Sequence, residues 1–92
     1  MPTLLHTADA VGSGPAVKLR SDRSRDEVLV QVHITGSATV EILGRASQRL
    51  PFVLLQTVST SGLVAVARVA EIQARVASIS SGVVDVEAHI DV

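Results

Sequence analysis

Strict alternation of apolar and polar residues at two distant places constrains the fold of this chain more than any other feature. The stretches EVLVQVHIT at 27–35 and VVDVEAHID at 83–91 carry apolar, mostly β-branched residues at every second position, with Leu29 as an exception. A period of two is typical of a strand with one buried and one exposed face. The two stretches therefore predict an antiparallel β domain. The residues on the predicted buried faces are Val28, Val30, Val32, Ile34, Val84, Val86, Ala88 and Ile90.

The size and composition of the chain predict one small domain with a core of modest strength. The 92 residues include 47% hydrophobic ones, but Phe52 is the only aromatic residue. Aromatic side chains bury the most area per residue, so the core consists of Val, Leu, Ile and Ala, with Phe52 expected among them. Small cores of this kind are often supplemented by oligomerisation. We therefore expect a homo-oligomer.

Charge and cysteine content exclude several classes of protein. A formal net charge of -1 argues against a nucleic-acid partner, because nucleic-acid binding needs a basic surface. The chain has no cysteine, so disulfides and thiolate metal sites are impossible. Residues 1–10 lack the basic segment and long apolar run of a signal peptide, and the apolar run at 50–55 is too short to span a bilayer. We expect no membrane partner and a protein that is made inside a cell.

Turn residues divide the chain into seven or eight short strands, which predicts an all-β antiparallel sandwich or barrel. Residues 1–15 form an N-terminal arm or edge strand, and residues 16–92 form a single β-sandwich domain. The first part has an edge strand at 3–8 and a loop at 11–15. The second part begins with a short strand at 16–19 and an exposed loop at 20–26. Strands at 27–35 and 38–43 follow, joined by a hairpin turn at Gly36-Ser37, and a connection at 46–51 leads to a buried strand at 52–60. Turns are predicted at 61–62 and 80–82, and the last strand is at 83–91.

The stretch at 63–79 supports two interpretations. Its apolar residues at Val66, Val69, Ile72 and Val76 follow helical spacing, and its alanine content favours a helix. The alternative is a strand, a turn near 68–70 and a second strand. The density of β-branched residues and the lack of a well-placed N-cap favour the strands.

Two groups of residues are candidates for chemistry. His33 and His89 lie on the exposed faces of their strands, and a metal site would form if those strands adjoined and Asp85, Glu87 or Asp91 completed it. Asp85 and Glu87 also resemble a carboxylate pair for acid–base catalysis. No close His-x-His spacing and no Gly-x-Ser-x-Gly motif is present, so the simpler interpretation is solvated surface. We assign no catalytic, cofactor-binding or metal-binding residue and expect no enzyme and no cofactor.

One further charged segment is a candidate for protein binding. Arg20, Arg23 and Arg25 form a basic cluster, and acidic residues lie between and after them. Such a cluster either binds an acidic protein surface or belongs to a solvated loop with internal ion pairs. The solvated loop is the favoured interpretation.

Three segments of the chain are informative together: GSATVEILGR at 36–45, LLQTVSTSG at 54–62 and AEIQARVASISSGV at 70–83. Their pattern resembles that of a group of small virion proteins of tailed bacteriophages. In such proteins the E-I-x-A-x-V segment is a strand, which supports two strands within 63–79.

The resemblance implies a non-enzymatic structural protein of the virion, assembled in the host cytoplasm. Capsid decoration or cementing, with the major capsid protein as partner, fits the size and charge best. A neck, tail or head-fibre component is the first alternative. A small carbohydrate- or receptor-binding module is the second, although Phe52 alone does not provide the aromatic platform that sugar-binding sandwiches usually have. The arm at 1–15 would add to the sheet edge of a neighbour.

Overall fold

The protein is an antiparallel β structure in which seven strands form one sheet. The computed structural model describes residues 3–18, 27–67 and 69–89. Two strands are long, at 19 residues each, and the others have two to six residues. The all-β, antiparallel prediction is confirmed. The strands are β1 (Thr3–Ala8), β2 (Gly12–Ser13), β3 (Val17–Lys18), β4 (Glu27–Arg45), β5 (Val53–Val58), β6 (Gly62–Ala67) and β7 (Glu71–His89).

The two long strands form the centre of the sheet. β4 and β7 pair from Leu29 opposite His89 to Arg45 opposite Glu71. On its other side β7 pairs with β1, β2 and β3, and β4 pairs with β5 and β6. Every pairing is antiparallel. The sheet therefore has an edge made of β1 to β3 and an opposite edge made of β5 and β6.

Both long strands bend in the middle, at a pair of glycines. Nineteen extended residues span roughly 60 Å, whereas the longest dimension of the molecule is 39 Å. Gly36 lies opposite Gly82, their φ angles are 99° and 83°, and the register shifts just beyond them. Only glycine adopts such φ angles at little cost. The bend lets each strand continue from one half of the sheet into the other.

The predicted turns at Gly36-Ser37 and at 80–82 are therefore wrong, because neither segment reverses the chain. Both segments lie within continuous strands, and each pairs with the other strand. A glycine with a positive φ occurs both in bends of paired strands and in two-residue turns. The local sequence is the same in both cases, and the long-range pairing decides between them.

The core lies on one face of the bent sheet. The apolar positions predicted from the alternation are buried, except Ile34, which is half-buried, and Ile90, which lies outside the described residues. The described residues include no helix to cover them. Side chains on one face of a sheet reach zero exposure only when other parts of the chain cover that face, so the bent sheet covers its own core. The fully or almost fully buried residues of these strands are Val28, Val30, Val32, Val40, Ile42, Ile72, Ala74, Val76, Val84, Val86 and Ala88.

The stretch at 63–79 is a strand, a short connection and a second strand. β6 ends at Ala67 and β7 begins at Glu71, so the helical alternative is wrong. The Ala70 N–H donates to the carbonyl oxygen of Arg45 at 3.0 Å and fixes the connection.

The predicted strand at 52–60 is confirmed as β5, but the prediction that it is buried is wrong. In β5, Val53 and Leu54 are more than half exposed, and Val58 is the one buried residue. β5 pairs with β4 on one side only, within the described residues, so its apolar side chains lie at an edge and not in the centre of the sheet. Phe52, which was expected in the core, is half-buried.

Candidate functional site

The outer face of the sheet carries a polar cluster where β4 and β7 pair. Asp85 lies directly opposite His33, and Glu87 lies directly opposite Gln31. The four side chains line an open concavity of about 160 Å³. The predicted exposure of His33 is confirmed. The pairing thus brings three of the predicted site residues together.

Asp85 also holds the edge strand β1 in place. Its Oδ1 atom accepts a hydrogen bond from the Thr7 N–H at 2.8 Å and lies 3.5 Å from His6 Nδ1. Thr7 has a φ of 45°, a conformation that is rare and unfavourable for a β-branched residue. The bond to a carboxylate offsets part of this cost. Asp85 therefore has a structural role that the sequence pattern did not indicate.

The predicted metal ligands are not brought to one point. The pairing places His89 opposite Leu29, four residues along the strand from the position opposite His33. In the ranges 3–18, 27–67 and 69–89, no group of three His, Asp or Glu side chains is arranged to hold a metal ion. Asp91 and the side chain of His89 lie outside the described residues. The polar neighbour of the His33 ring is a hydroxyl group, because its Nε2 atom lies 3.4 Å from Thr35 Oγ1.

The predicted carboxylate pair consists of successive outward positions on β7. Asp85 and Glu87 are separated by about 7 Å along the strand, Glu87 is exposed, and Asp85 is half-buried against β1. With His33 and Gln31 they offer hydrogen-bond acceptors and donors to a ligand. The arginine cluster at Arg20, Arg23 and Arg25 lies outside the described residues.

The edge made of β5 and β6 carries exposed apolar side chains. Leu50, Val53 and Leu54 are 52%, 56% and 53% exposed, and Leu63 on β6 is 65% exposed. We call Leu50, Val53 and Leu54 the β5 face; Val53 and Leu54 are consecutive in the strand and point to opposite sides of it, so the name covers both sides of this edge. The sequence analysis missed this surface because it assigned the strand to the core. The uniformly apolar run at 52–55 favours that assignment, because a strand buried on both faces shows no alternation.

An ordered turn presents the β5 face. The Leu50 N–H donates to the Ser47 carbonyl oxygen at 3.1 Å, and the Arg49 N–H donates to Ser47 Oγ at 3.1 Å. Arg45 lies beneath the turn, with its guanidinium 4.4 Å from the centre of the Phe52 ring and Nη1 3.4 Å from the Leu50 carbonyl oxygen. The exposed side chain of Leu50 is thus held by a defined backbone, which lowers the entropy lost when a partner covers it.

Comparison with known proteins gives no relative. The chain matches no protein-family model, no curated protein and no solved structure. In the described part of the chain, no helix has the length and apolarity needed to cross a membrane.

Proposed function

We propose that the protein is a non-enzymatic structural component of a tailed-phage virion and that it decorates the capsid. The resemblance of residues 36–45, 54–62 and 70–83 to small virion proteins supports this proposal. The all-β fold and the presence of two strands within 63–79 agree with that resemblance.

The observation that carries the proposal is the β5 face. Three large apolar side chains, each more than half exposed, lie within five residues of one another on an ordered turn and an edge strand. Exposed apolar side chains that are grouped at an edge of this kind often mark contacts with other proteins. Covering them removes apolar area from water, which favours association.

We propose the major capsid protein as the partner that covers this face. A decoration protein that binds the assembled shell more tightly than its loosened form stabilises the shell by mass action. The contribution increases with the concentration of the decoration protein, as it does for any ligand that binds one of two states. A small domain with a near-neutral charge is suited to repeated, closely spaced binding on a lattice.

Immunogold electron microscopy of particles from a lysate of the producing cells tests the location. Gold spread over the heads supports decoration. Gold at one vertex or along a tube would overturn decoration in favour of a neck, tail or head-fibre component. Unlabelled particles, with the protein left in the soluble fraction, would overturn the virion role.

A pair of matched variants tests the surface. Val53→Lys places a charge on the β5 face and is expected to abolish binding to heads. Thr3→Lys places the same charge at an exposed position on the opposite edge of the sheet and is expected to leave binding unchanged. Equal binding by both variants would show that the β5 face is not the docking surface.

One observation favours a second candidate function, the binding of a small polar ligand such as a glycan. The concavity lined by Gln31, His33, Asp85 and Glu87 offers an amide, an imidazole and two carboxylates for hydrogen bonds to hydroxyl groups. The aromatic ring that would support a sugar lies elsewhere, because Phe52 stacks against Arg45. Saturable binding on a glycan array, lost in Gln31→Ala, would favour this function over decoration.

A further inference from the structure

Strand β6 is a regular edge strand without the usual protection against pairing. Its six residues, Gly62–Ala67, pair one to one with residues 27–32 of β4 without a register shift. Among the described residues β6 has no partner on its other side. It also contains no proline and no charged residue. An edge of this kind offers its free N–H and C=O groups to another strand.

The other edge segments are protected in ways that β6 is not. The pairing of β1 with β7 shifts register twice, and Thr7 has a positive φ. β2 and β3 have only two residues each, and Pro15 lies between them. The pairing of β5 with β4 shifts register next to Leu43. Bulges, short strands and prolines are the common means of blocking edge-to-edge association, so β6 is the described edge segment best suited to accept a strand.

The side chains of β6 favour a second copy of the same strand. In a two-fold contact each residue meets a residue of an identical chain, so a charged strand repels itself. β6 carries no charge, and its outward residues Ala65 and Ala67 are small. Leu63, the most exposed large hydrophobic residue in the described part of the chain, lies on the same face. On the core side, Val64 is only half-buried, and a further strand would cover it.

We propose that two copies of the chain associate through β6, paired antiparallel about a two-fold axis at Ala65. In this register Ala65 lies opposite Ala65 of the partner subunit, and Leu63 lies opposite Ala67 of the partner subunit. Residues that are opposite each other in an antiparallel pair point to the same face, so the outer faces and the cores of the two copies are continuous. Val64 then meets Val66 of the partner subunit, which extends both cores.

Charge-swap variants at Ala65 test this arrangement. The side chain of Ala65 is exposed on the outer face, so Ala65→Lys and Ala65→Glu are expected to fold as the wild type does, which circular dichroism checks. Each variant alone sets two like charges opposite each other across the axis, and we expect its dimer dissociation constant to rise at least tenfold. An equimolar mixture of the two sets opposite charges together and is expected to restore the dimer.

The readout is sedimentation equilibrium of the purified full chain at protein concentrations up to about 1 mM. The wild type is expected at twice its chain mass of 9.6 kDa. The control Thr57→Lys, an exposed position on β5, is expected to remain a dimer. A monomeric wild type would overturn the proposal, as would single Ala65 variants that dimerise like the wild type or a Thr57→Lys variant that dissociates. Because no particle is present, this result is independent of the decoration proposal.

Discussion

Gly36 and Gly82 lie opposite each other at the bend of the two central strands, and neither position has room for a side chain. A Cβ atom on Gly82 would lie 1.3 Å from the Thr35 carbonyl oxygen, and one on Gly36 would lie 2.4 Å from the Ser81 carbonyl oxygen. The clashing atoms belong to the backbone of the facing strand, so no side-chain rotation relieves them. The two strands therefore approach each other at the bend as bare backbone.

We therefore expect Gly82→Ala to lower the free energy of unfolding by at least about 2 kcal/mol, from the unfavourable φ and the clash together. Gly62→Ala is the matched control, because a Cβ there meets nothing within 4 Å and the φ is ordinary. The control is expected to be neutral or slightly stabilising. Urea unfolding at one protein concentration compares the two. A Gly82→Ala protein as stable as Gly62→Ala would show that the bend does not depend on glycine.

Ser61, the residue before β6, provides hydrogen-bond partners for the backbone of β4 beyond the last β4–β6 pair, Val32 with Gly62. The Ile34 N–H donates to Ser61 Oγ at 2.8 Å, and Ser61 Oγ–H donates back to the Ile34 carbonyl oxygen at 3.3 Å. Ser61→Ala leaves both groups of a half-buried residue without this partner, and we expect a loss of about 1 kcal/mol. Hydrogen exchange at the Ile34 amide should accelerate.

Two controls separate the hydroxyl from other effects at this position. Ser61→Thr keeps the hydroxyl and is expected to retain the protection of the Ile34 amide. Ser59→Ala removes a hydroxyl from a nearby exposed residue and is expected to change stability by less than about 0.5 kcal/mol. Unchanged exchange at Ile34 in Ser61→Ala would show that the hydrogen bond contributes nothing measurable.

The sequence predicts this fold where local pattern and long-range pairing agree. The alternation at 27–35 and 83–91 predicts the buried positions described there, except that Ile34 is half-buried, because a period of two depends only on the strand itself. The glycine at Gly36 was misread because a turn and a bend need the same φ. The exposure of β5 depends on whether another strand lies beyond it, which no pattern within 52–60 reveals.

The candidate site, too, was predictable from the sequence only in part. The sequence identified Asp85, Glu87 and His33 as polar residues on exposed faces, and the pairing of β4 with β7 places them side by side. It could not show that Asp85 binds the backbone of Thr7, because the two residues are 78 positions apart and the bond depends on an irregular φ in β1. The β5 face was missed because its composition resembles that of a core strand.

Leu4 makes β1 an integral part of the fold. Its side chain is fully buried in the core although β1 is at an edge of the sheet. We expect Leu4→Ala to cost about 3 kcal/mol of unfolding free energy, because it leaves a cavity. Leu50→Ala makes the same change at a half-exposed position and is expected to cost less than about 0.5 kcal/mol. Similar midpoints for the two variants in urea unfolding would mean that β1 detaches readily from β7.

Two ion pairs connect β4 and β7 and differ in burial. Comparing them tests whether burial determines the strength of an ion pair. Arg45 is directly opposite Glu71, and Arg75 is directly opposite Glu41. In the first pair Nη2 and Nε of the arginine lie 2.9 and 3.1 Å from one carboxylate oxygen, and the side chains are 22% and 7% exposed. In the second pair the arginine is 46% exposed and the glutamate 20%.

Glu71→Gln keeps the shape of the side chain but leaves the Arg45 guanidinium partly buried without its counter-charge, and we expect a loss of about 2–3 kcal/mol. Glu41→Gln makes the same change in the pair that water screens, so its expected loss is below about 1 kcal/mol. A double-mutant cycle on each pair, with Arg45→Gln and Arg75→Gln as the second variants, isolates the coupling from other effects of each substitution. The coupling measured by urea unfolding should be larger for Arg45 with Glu71, and equal couplings would show that burial does not set the strength of these pairs.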